Sequence, residues 1–131
     1  MIVANGTDAP VEAVSTLRTF HAAISRQNER DAPPGGWYPD QRMTRDEALK
    51  SMTIWAAHAN FQEKLLGSIT PGKYADFVVM DRDWMAAPVE AIMEARIAAT
   101  YLGGTRVYDG SSGTAFERRL RARGSGCCGL G

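Results

Sequence analysis

The pattern of apolar residues changes at Gly67, and this change most limits the folds open to the chain. Before Gly67, apolar residues recur every three or four positions, as they do along one face of an α-helix. After it, Ser68 to Thr70 and Tyr74 to Met80 carry the β-branched and aromatic residues that strands favour, with Pro71-Gly72 as a turn between them. The sequence therefore predicts an α/β fold, with helices before Gly67 and mainly strands after it.

Two helices are predicted in the first half of the chain. Apolar residues at helical spacing indicate one helix from about Ser15 to Gln27. The second helix has the clearest start, because Thr44-Arg-Asp-Glu47 is a capping box, in which each of the two outer side chains bonds the other's backbone amide. The apolar period then predicts a helix from Arg45 to about Phe61.

Residues 28–43 form a long loop between these helices. The run Pro33-Pro34-Gly35-Gly36 cannot continue a helix or a strand. Loops of this length are often functional, but Trp37 and Tyr38 can also pin such a loop to the surface by burying their rings. We favour the pinning role.

The remaining predicted elements are short. Ile2 to Ala4 is an apolar run that ends in turn residues, which predicts a strand leading through a loop to the first helix. Val78 and Val79 have apolar neighbours, which predicts burial of this strand on both faces. Pro88 to Ala95 can form a short helix with proline in the first turn.

Gly103 and Gly104 separate the last two apolar runs of the chain. These runs are Ala98 to Leu102 and Thr105 to Tyr108. A two-residue loop of glycines tolerates the positive φ angles of a tight turn, so a β-hairpin over residues 98–108 is predicted.

Composition narrows the function classes. The chain of 131 residues has 15 Lys plus Arg against 15 Asp plus Glu, so no excess positive charge points to nucleic acid or to an anionic membrane. No stretch approaches the roughly 20 apolar residues of a membrane span, and no secretory signal pattern is present, so a cytoplasmic location is expected. Residues 111–131 lose the apolar period and are expected to be disordered, with Cys127 and Cys128 as free thiols.

The segment Gly67-Ser-Ile-Thr-Pro-Gly-Lys-Tyr-Ala-Asp-Phe-Val-Val-Met-Asp81 closely resembles the entry to the C-terminal part of the small β-sandwich in amidohydrolase-superfamily enzymes. The hairpin Tyr101 to Tyr108 is similar to the closing strands of that sandwich. Upstream, Gly6-Thr7-Asp8-Ala9-Pro10, the Pro-Pro-Gly-Gly-Trp loop and the helix after Thr44 resemble the YtcJ-like, amidohydrolase-3 branch. The resemblance covers about residues 2 to 109.

This resemblance implies the C-terminal fragment of a (β/α)₈ barrel together with part of the flanking β-sandwich. Residues 1–64 would end the barrel, with Ile2 to Asn5 as its last strand, loop 28–43 and the capped helix 44–61. Residues 65–110 would belong to the sandwich. Because a complete barrel takes roughly 250 residues, and Met1 precedes the last strand directly, we expect a truncated gene, a misplaced start or a split reading frame.

By the same resemblance, Asp8 matches the aspartate after the last barrel strand, which binds the metal or activates its water. A carboxylate in such a loop can take a metal or a proton. From the residues alone, a role for Asp8 in capping the turn before Pro10 is favoured over catalysis. His21 and His58 lie within helical patterns, so structural roles are expected, and no His-x-His pair is present for a zinc site that needs three ligands.

The implied activity of the intact enzyme is hydrolysis of non-peptide carbon–nitrogen bonds in a small amide or cyclic amide, with a divalent metal, zinc first. The chain alone is expected to be inactive and to bind no metal tightly. The alternative is a non-catalytic folded module that binds a complementary barrel fragment or itself, because an open barrel edge exposes apolar surface.

Overall fold

Helix α1 (Thr16–Ser25) forms where the sequence predicts the first helix. The computed structural model describes residues 1–111, so most of the tail predicted to be disordered, including both cysteines, lies outside the described residues. The Ser15 hydroxyl accepts a hydrogen bond from the Arg18 amide at 3.4 Å and caps the helix start. The helix ends at Arg26, whose φ of 58° lies in the left-handed region.

The second predicted helix is interrupted. Helix α2 (Arg45–Met52) begins at the predicted capping box, which is confirmed, but the backbone leaves the helical region at Thr53 and resumes as α3 (Ile54–Ala59). The prediction of one continuous helix to Phe61 was therefore wrong. Gly67 packs so closely on the start of α3 that a Cβ there would lie 2.7 Å from the Cα of Ile54. The break thus coincides with a tertiary contact.

Three antiparallel strands follow in the order β1 (Phe77–Met80), β2 (Ile97–Leu102) and β3 (Thr105–Asp109). The short helix α4 (Val89–Ile92) connects β1 to β2 within the predicted range. The predicted hairpin of β2 and β3 is confirmed.

The far end of the sheet is fixed at the hairpin turn. Gly103 and Gly104 have φ angles of 56° and 79°, which a tight two-residue turn requires. The Asp76 carboxylate accepts a hydrogen bond from the Gly103 amide at 2.6 Å, and the Ala75 carbonyl accepts one from the Gly104 amide at 2.9 Å. Next to this contact, the rings of Phe77 and Tyr101 stack with centroids 4.5 Å apart.

The buried core lies between the helices. It comprises Phe20, Ile24, Ala48 and Ile92, with Trp84 packed against it. Residues from before and after residue 64 therefore share one core.

Two predicted strands do not form. Ile2 to Ala4 has no strand partner within residues 1–111, and a strand requires a neighbour to satisfy its backbone groups. Ser68 to Thr70 instead belongs to a turn, in which the Thr70 carbonyl accepts a hydrogen bond from the Lys73 amide at 3.1 Å.

The predicted burial of β1 on both faces was also wrong. The side chains of Val78 and Val79 are 50% and 42% exposed, because no second layer of the described residues covers them. None of the helices in the described part of the chain combines the length and apolar character needed to cross a membrane.

Loop 28–43 is held by its backbone and by arginines. The Trp37 amide donates to the Arg26 carbonyl at 2.8 Å, and the Arg26 Nε donates to the Trp37 carbonyl at 2.9 Å. The rings of Trp37 and Tyr38 are 62% and 61% exposed, so the expectation that they pin the loop by burial was wrong. A 3₁₀-helix (Pro39–Gln41) leads from the loop towards α2.

Candidate functional site

The loop that carries Asp8 is a tight turn between the N-terminal segment and α1. Asp8 has a φ of 52°, and its carbonyl accepts a hydrogen bond from the Val11 amide at 2.9 Å. Asparagine and aspartate enter this left-handed region more readily than most side chains do, which fits Asp8 for the turn.

The carboxylate of Asp8 is available for chemistry. The turn before Pro10 is closed by the Asp8 carbonyl and not by its side chain, so the side chain does not cap the turn. Asp8 is exposed, and among residues 1–111 its carboxylate has no hydrogen-bond or ion-pair partner. An exposed and unpaired carboxylate can act as a ligand or as a base.

Asp8 lies at a cleft of about 400 Å³ between its own loop and one face of α1. The wall of the cleft carries side chains of both signs and several small residues, namely Glu12, Ala13, Arg18, Thr19, Ala22, Ala23 and Arg26. This wall was not predicted from the sequence. The sequence does contain a pattern that indicates it, because Arg18, Ala22 and Arg26 recur four residues apart and therefore share a helix face.

Both arginines of the cleft are already engaged. The Arg18 guanidinium pairs with the Glu29 carboxylate at 2.7 Å, while Arg26 holds the Trp37 carbonyl. The cleft is thus neither strongly cationic nor strongly anionic, and two carboxylates that have no partner among residues 1–111, those of Asp8 and Glu12, line it.

The side-chain contacts of the two histidines are with residues other than Asp8. His21 is buried, with Nε2 3.2 Å from the Asp31 carboxylate and Nδ1 3.5 Å from the Ser25 hydroxyl. His58 is exposed, with Nδ1 3.9 Å from the Glu63 carboxylate. Neither histidine joins Asp8 in a cluster.

The metal implied by the resemblance requires several ligands close together. Within residues 1–111, no group of three or more His, Cys, Asp or Glu side chains is placed to hold a metal ion. A zinc site needs three protein ligands, so the described residues do not form one.

The α/β fold agrees with that of an amidohydrolase of known structure. The chain matches the solved structure of an amidohydrolase from Thermotoga maritima MSB8 with a TM-score of 0.54 at 23% identity, over 83% of this chain and 23% of that one. A likeness at this level concerns the fold.

The sequence comparison assigns the family. The model described as "Amidohydrolase family" (Amidohydro_3) matches residues 1–108. The chain therefore belongs to the amidohydrolase family, whose members generally depend on a metal. The predicted resemblance to the amidohydrolase-3 branch is confirmed.

Three curated proteins are similar to the chain. It is 35% identical over 111 residues to Protein LONG AFTER FAR-RED 3 of Arabidopsis thaliana, across 82% of this chain and 18% of that protein. It is 33% identical to the N-substituted formamide deformylase of Arthrobacter pascens, across 82% and 19%. It is 29% identical to the putative amidohydrolase YtcJ of Bacillus subtilis (strain 168), across 85% and 21%. The chain thus spans about a fifth of the length of these relatives.

Proposed function

We propose that this chain supplies the C-terminal part of a metal-dependent amidohydrolase that hydrolyses carbon–nitrogen bonds, with Asp8 as metal ligand and as acid/base. The observation that carries the proposal is the free Asp8 carboxylate at the cleft, within a segment that matches the amidohydrolase family. A carboxylate held this way can bind a cation and can take the proton of an attacking water.

The proposed substrate is a small amide or cyclic amide that is not a peptide. One relative is named for the deformylation of N-substituted formamides, a reaction that breaks a carbon–nitrogen bond of a small amide. The proposed metal is zinc, which when bound lowers the pKa of its water and polarises the carbonyl group. Within residues 1–111, the contribution of this chain to the reaction is to hold one carboxylate, that of Asp8, at the cleft.

The proposed architecture follows the family. Residues 1–64 would end a barrel and residues 65–110 would form part of a small β-sandwich. Ile2 to Asn5 would become a strand when neighbouring barrel strands satisfy its backbone groups. The exposed valines of β1 would then face a second layer.

A chimera tests the proposed function directly. Residues 1–108 of this chain replace the matching C-terminal segment of the Arthrobacter formamide deformylase, and hydrolysis of an N-substituted formamide is measured with zinc present. We expect the chimera to turn over. The Asp8→Asn variant should lose at least about a hundredfold in kcat, the scale on which a positioned acid/base contributes.

Asp40→Asn is the matched control, because Asp40 is also exposed and its side chain has no partner among residues 1–111. It should leave kcat unchanged. An Asp8→Asn chimera that is as active as its parent would refute the catalytic role of Asp8.

Self-association or binding of a complementary chain is the second candidate function. Leu102 and Val107 are 61% and 59% exposed, in addition to the exposed residues of β1, and exposed apolar surface of this kind favours association. Sedimentation velocity of the chain at several concentrations tests self-association. A monomer at all concentrations would exclude it and leave only the complementary chain.

A further inference from the structure

We propose that the helix break at Thr53, together with Gly67 packed on it, positions the loop that carries Asp8. This inference rests on the proposed role of Asp8 and assigns Thr53 and Gly67 as positioning residues for it. It gives Gly67, which otherwise belongs to the scaffold, a connection to the cleft.

The first step concerns the carbonyl of Ser51. In an unbroken α-helix this carbonyl would accept the amide proton of Trp55, four residues later. Because the helix breaks at Thr53, the Ser51 carbonyl instead accepts a hydrogen bond from the Asn5 amide at 3.0 Å. Ser51 is fully buried, so water competes little for this bond.

The second step concerns what this bond holds. Among the described residues, it is the one backbone hydrogen bond that joins residues 1–8 to any residue beyond Glu12. Asn5 lies three residues before Asp8, and both line the cleft. The position of Ser51 therefore sets where the Asp8 loop lies against α1.

The third step concerns what maintains the break. The Thr53 hydroxyl donates to the Leu49 carbonyl at 2.7 Å, and the Thr53 amide donates to the Lys50 carbonyl at 3.2 Å. On the other side, Gly67 lies against the start of α3 with a φ of 83°. A Cβ on Gly67 would lie 2.7 Å from the Ile54 Cα and 3.0 Å from the Ile54 nitrogen, so only glycine allows this approach.

Hydrogen exchange of backbone amides in the full chain tests this proposal by NMR. Gly67→Ala must displace Ile54, so the Asn5 amide should exchange at least about tenfold faster, while the Ile24 amide in α1 keeps its rate. Gly72→Ala is the matched control, because Gly72 has a similar φ of 92° but nothing within 4 Å of its added Cβ. It should leave the Asn5 rate unchanged.

A second pair of variants decides the matter if Gly67→Ala does not fold. Thr53→Ala removes the hydroxyl bond to Leu49 and favours a continuous helix, so it should also accelerate exchange at Asn5. Thr53→Ser keeps a hydroxyl and should restore the slow exchange. Unchanged protection of Asn5 in Thr53→Ala, or in a folded Gly67→Ala, would overturn the proposal.

The deformylase chimera separates positioning from catalysis. Gly67→Ala should lower kcat at least about tenfold with little change in KM, whereas Gly72→Ala should change neither. If Asp8→Asn inactivates the chimera and Gly67→Ala does not, the positioning role is wrong and the proposed function stands. If Asp8→Asn stays active, the proposed function fails, and hydrogen exchange alone decides whether the break holds the loop.

Discussion

The ring centroids of Phe20 in α1 and of Trp84, which follows β1 in the second half of the chain, lie 4.5 Å apart. Phe20 is fully buried, and Trp84 packs against the same core. The pair therefore joins the helical half to the strand half, and this contact should contribute strongly to the stability of the chain.

Phe20→Ala should lower the free energy of unfolding by about 3 to 5 kcal/mol, the cost typical of removing a buried phenylalanine. Urea unfolding followed by tryptophan fluorescence measures this loss. Phe61→Ala is the matched control, because Phe61 is 93% exposed, and the change should stay within about 0.5 kcal/mol. Equal losses in the two variants would contradict the central place of Phe20 in the core.

The capping box predicts a shifted titration of Glu47. Its carboxylate accepts hydrogen bonds from the Thr44 amide and the Thr44 hydroxyl, both at 2.8 Å, and these bonds lower the pKa of Glu47 below its ordinary value of 4.5. A lowered folded-state pKa means that the cap stabilises the fold above pH 4.5 and loses this contribution as the pH falls through the lower folded-state pKa.

Thr44→Ala should raise the pKa of Glu47 only part of the way, because the larger cause, the bond from the Thr44 amide, survives while the hydroxyl bond is lost. Thr44→Ser should leave the pKa low. Carbon-detected NMR titration of the Glu47 carboxylate measures both. A pKa of Glu47 that is the same in the alanine and serine variants would show that the hydroxyl bond does not contribute.

Arg45 links α2 to the segment before α4. Its guanidinium donates to the Trp84 carbonyl and, at 2.6 Å, to the Ala87 carbonyl. Arg45→Ala should cost about 2 kcal/mol in the free energy of unfolding, because hydrogen bonds from charged donors are among the stronger ones. Chemical denaturation measures the loss.

Arg30→Ala provides the comparison for Arg45, since Arg30 is exposed and its guanidinium has no partner within residues 1–111. Its effect should stay within about 0.5 kcal/mol. A loss as large as that of Arg45→Ala would assign the effect to net charge.

Zinc binding should be weak in the chain alone. Residues 1–111 supply no cluster of three ligands, so Asp8 would hold the ion without help. Calorimetric titration should show no micromolar or tighter site. The experiment uses the Cys127→Ser, Cys128→Ser variant, because thiolates bind zinc by themselves. One tight zinc per chain, lost on Asp8→Asn, would contradict this prediction.

Local chemistry made parts of the fold predictable. The capping box at Thr44 and the hairpin turn at Gly103 depend on residues a few positions apart, and both form as expected. The break at Thr53 was not predictable, because the contacts that accompany it come from Gly67 and Asn5, which are distant in sequence.

The candidate site was likewise predictable from the sequence only in part. Asp8 followed from the resemblance to a family, and its turn follows from local residues. The opposite wall of the cleft depends on which face α1 turns towards residues 5–8, and this is set by how Phe20 and Ile24 pack into the core. Exposure of Val78 and Trp37 could not be inferred from their apolar character, because exposure depends on which layers cover them.

The contact between Asp76 and Gly103 also fixes how β1 aligns with the hairpin. Because side chains alternate across a strand, a shift of β1 by one residue would turn Phe77 away from Tyr101 and would move the Asp76 carboxylate away from the turn amide. One displaced pairing would therefore break two interactions at once. Asp76 therefore selects a single register for β1. The valines of this short, half-exposed strand would by themselves tolerate several registers.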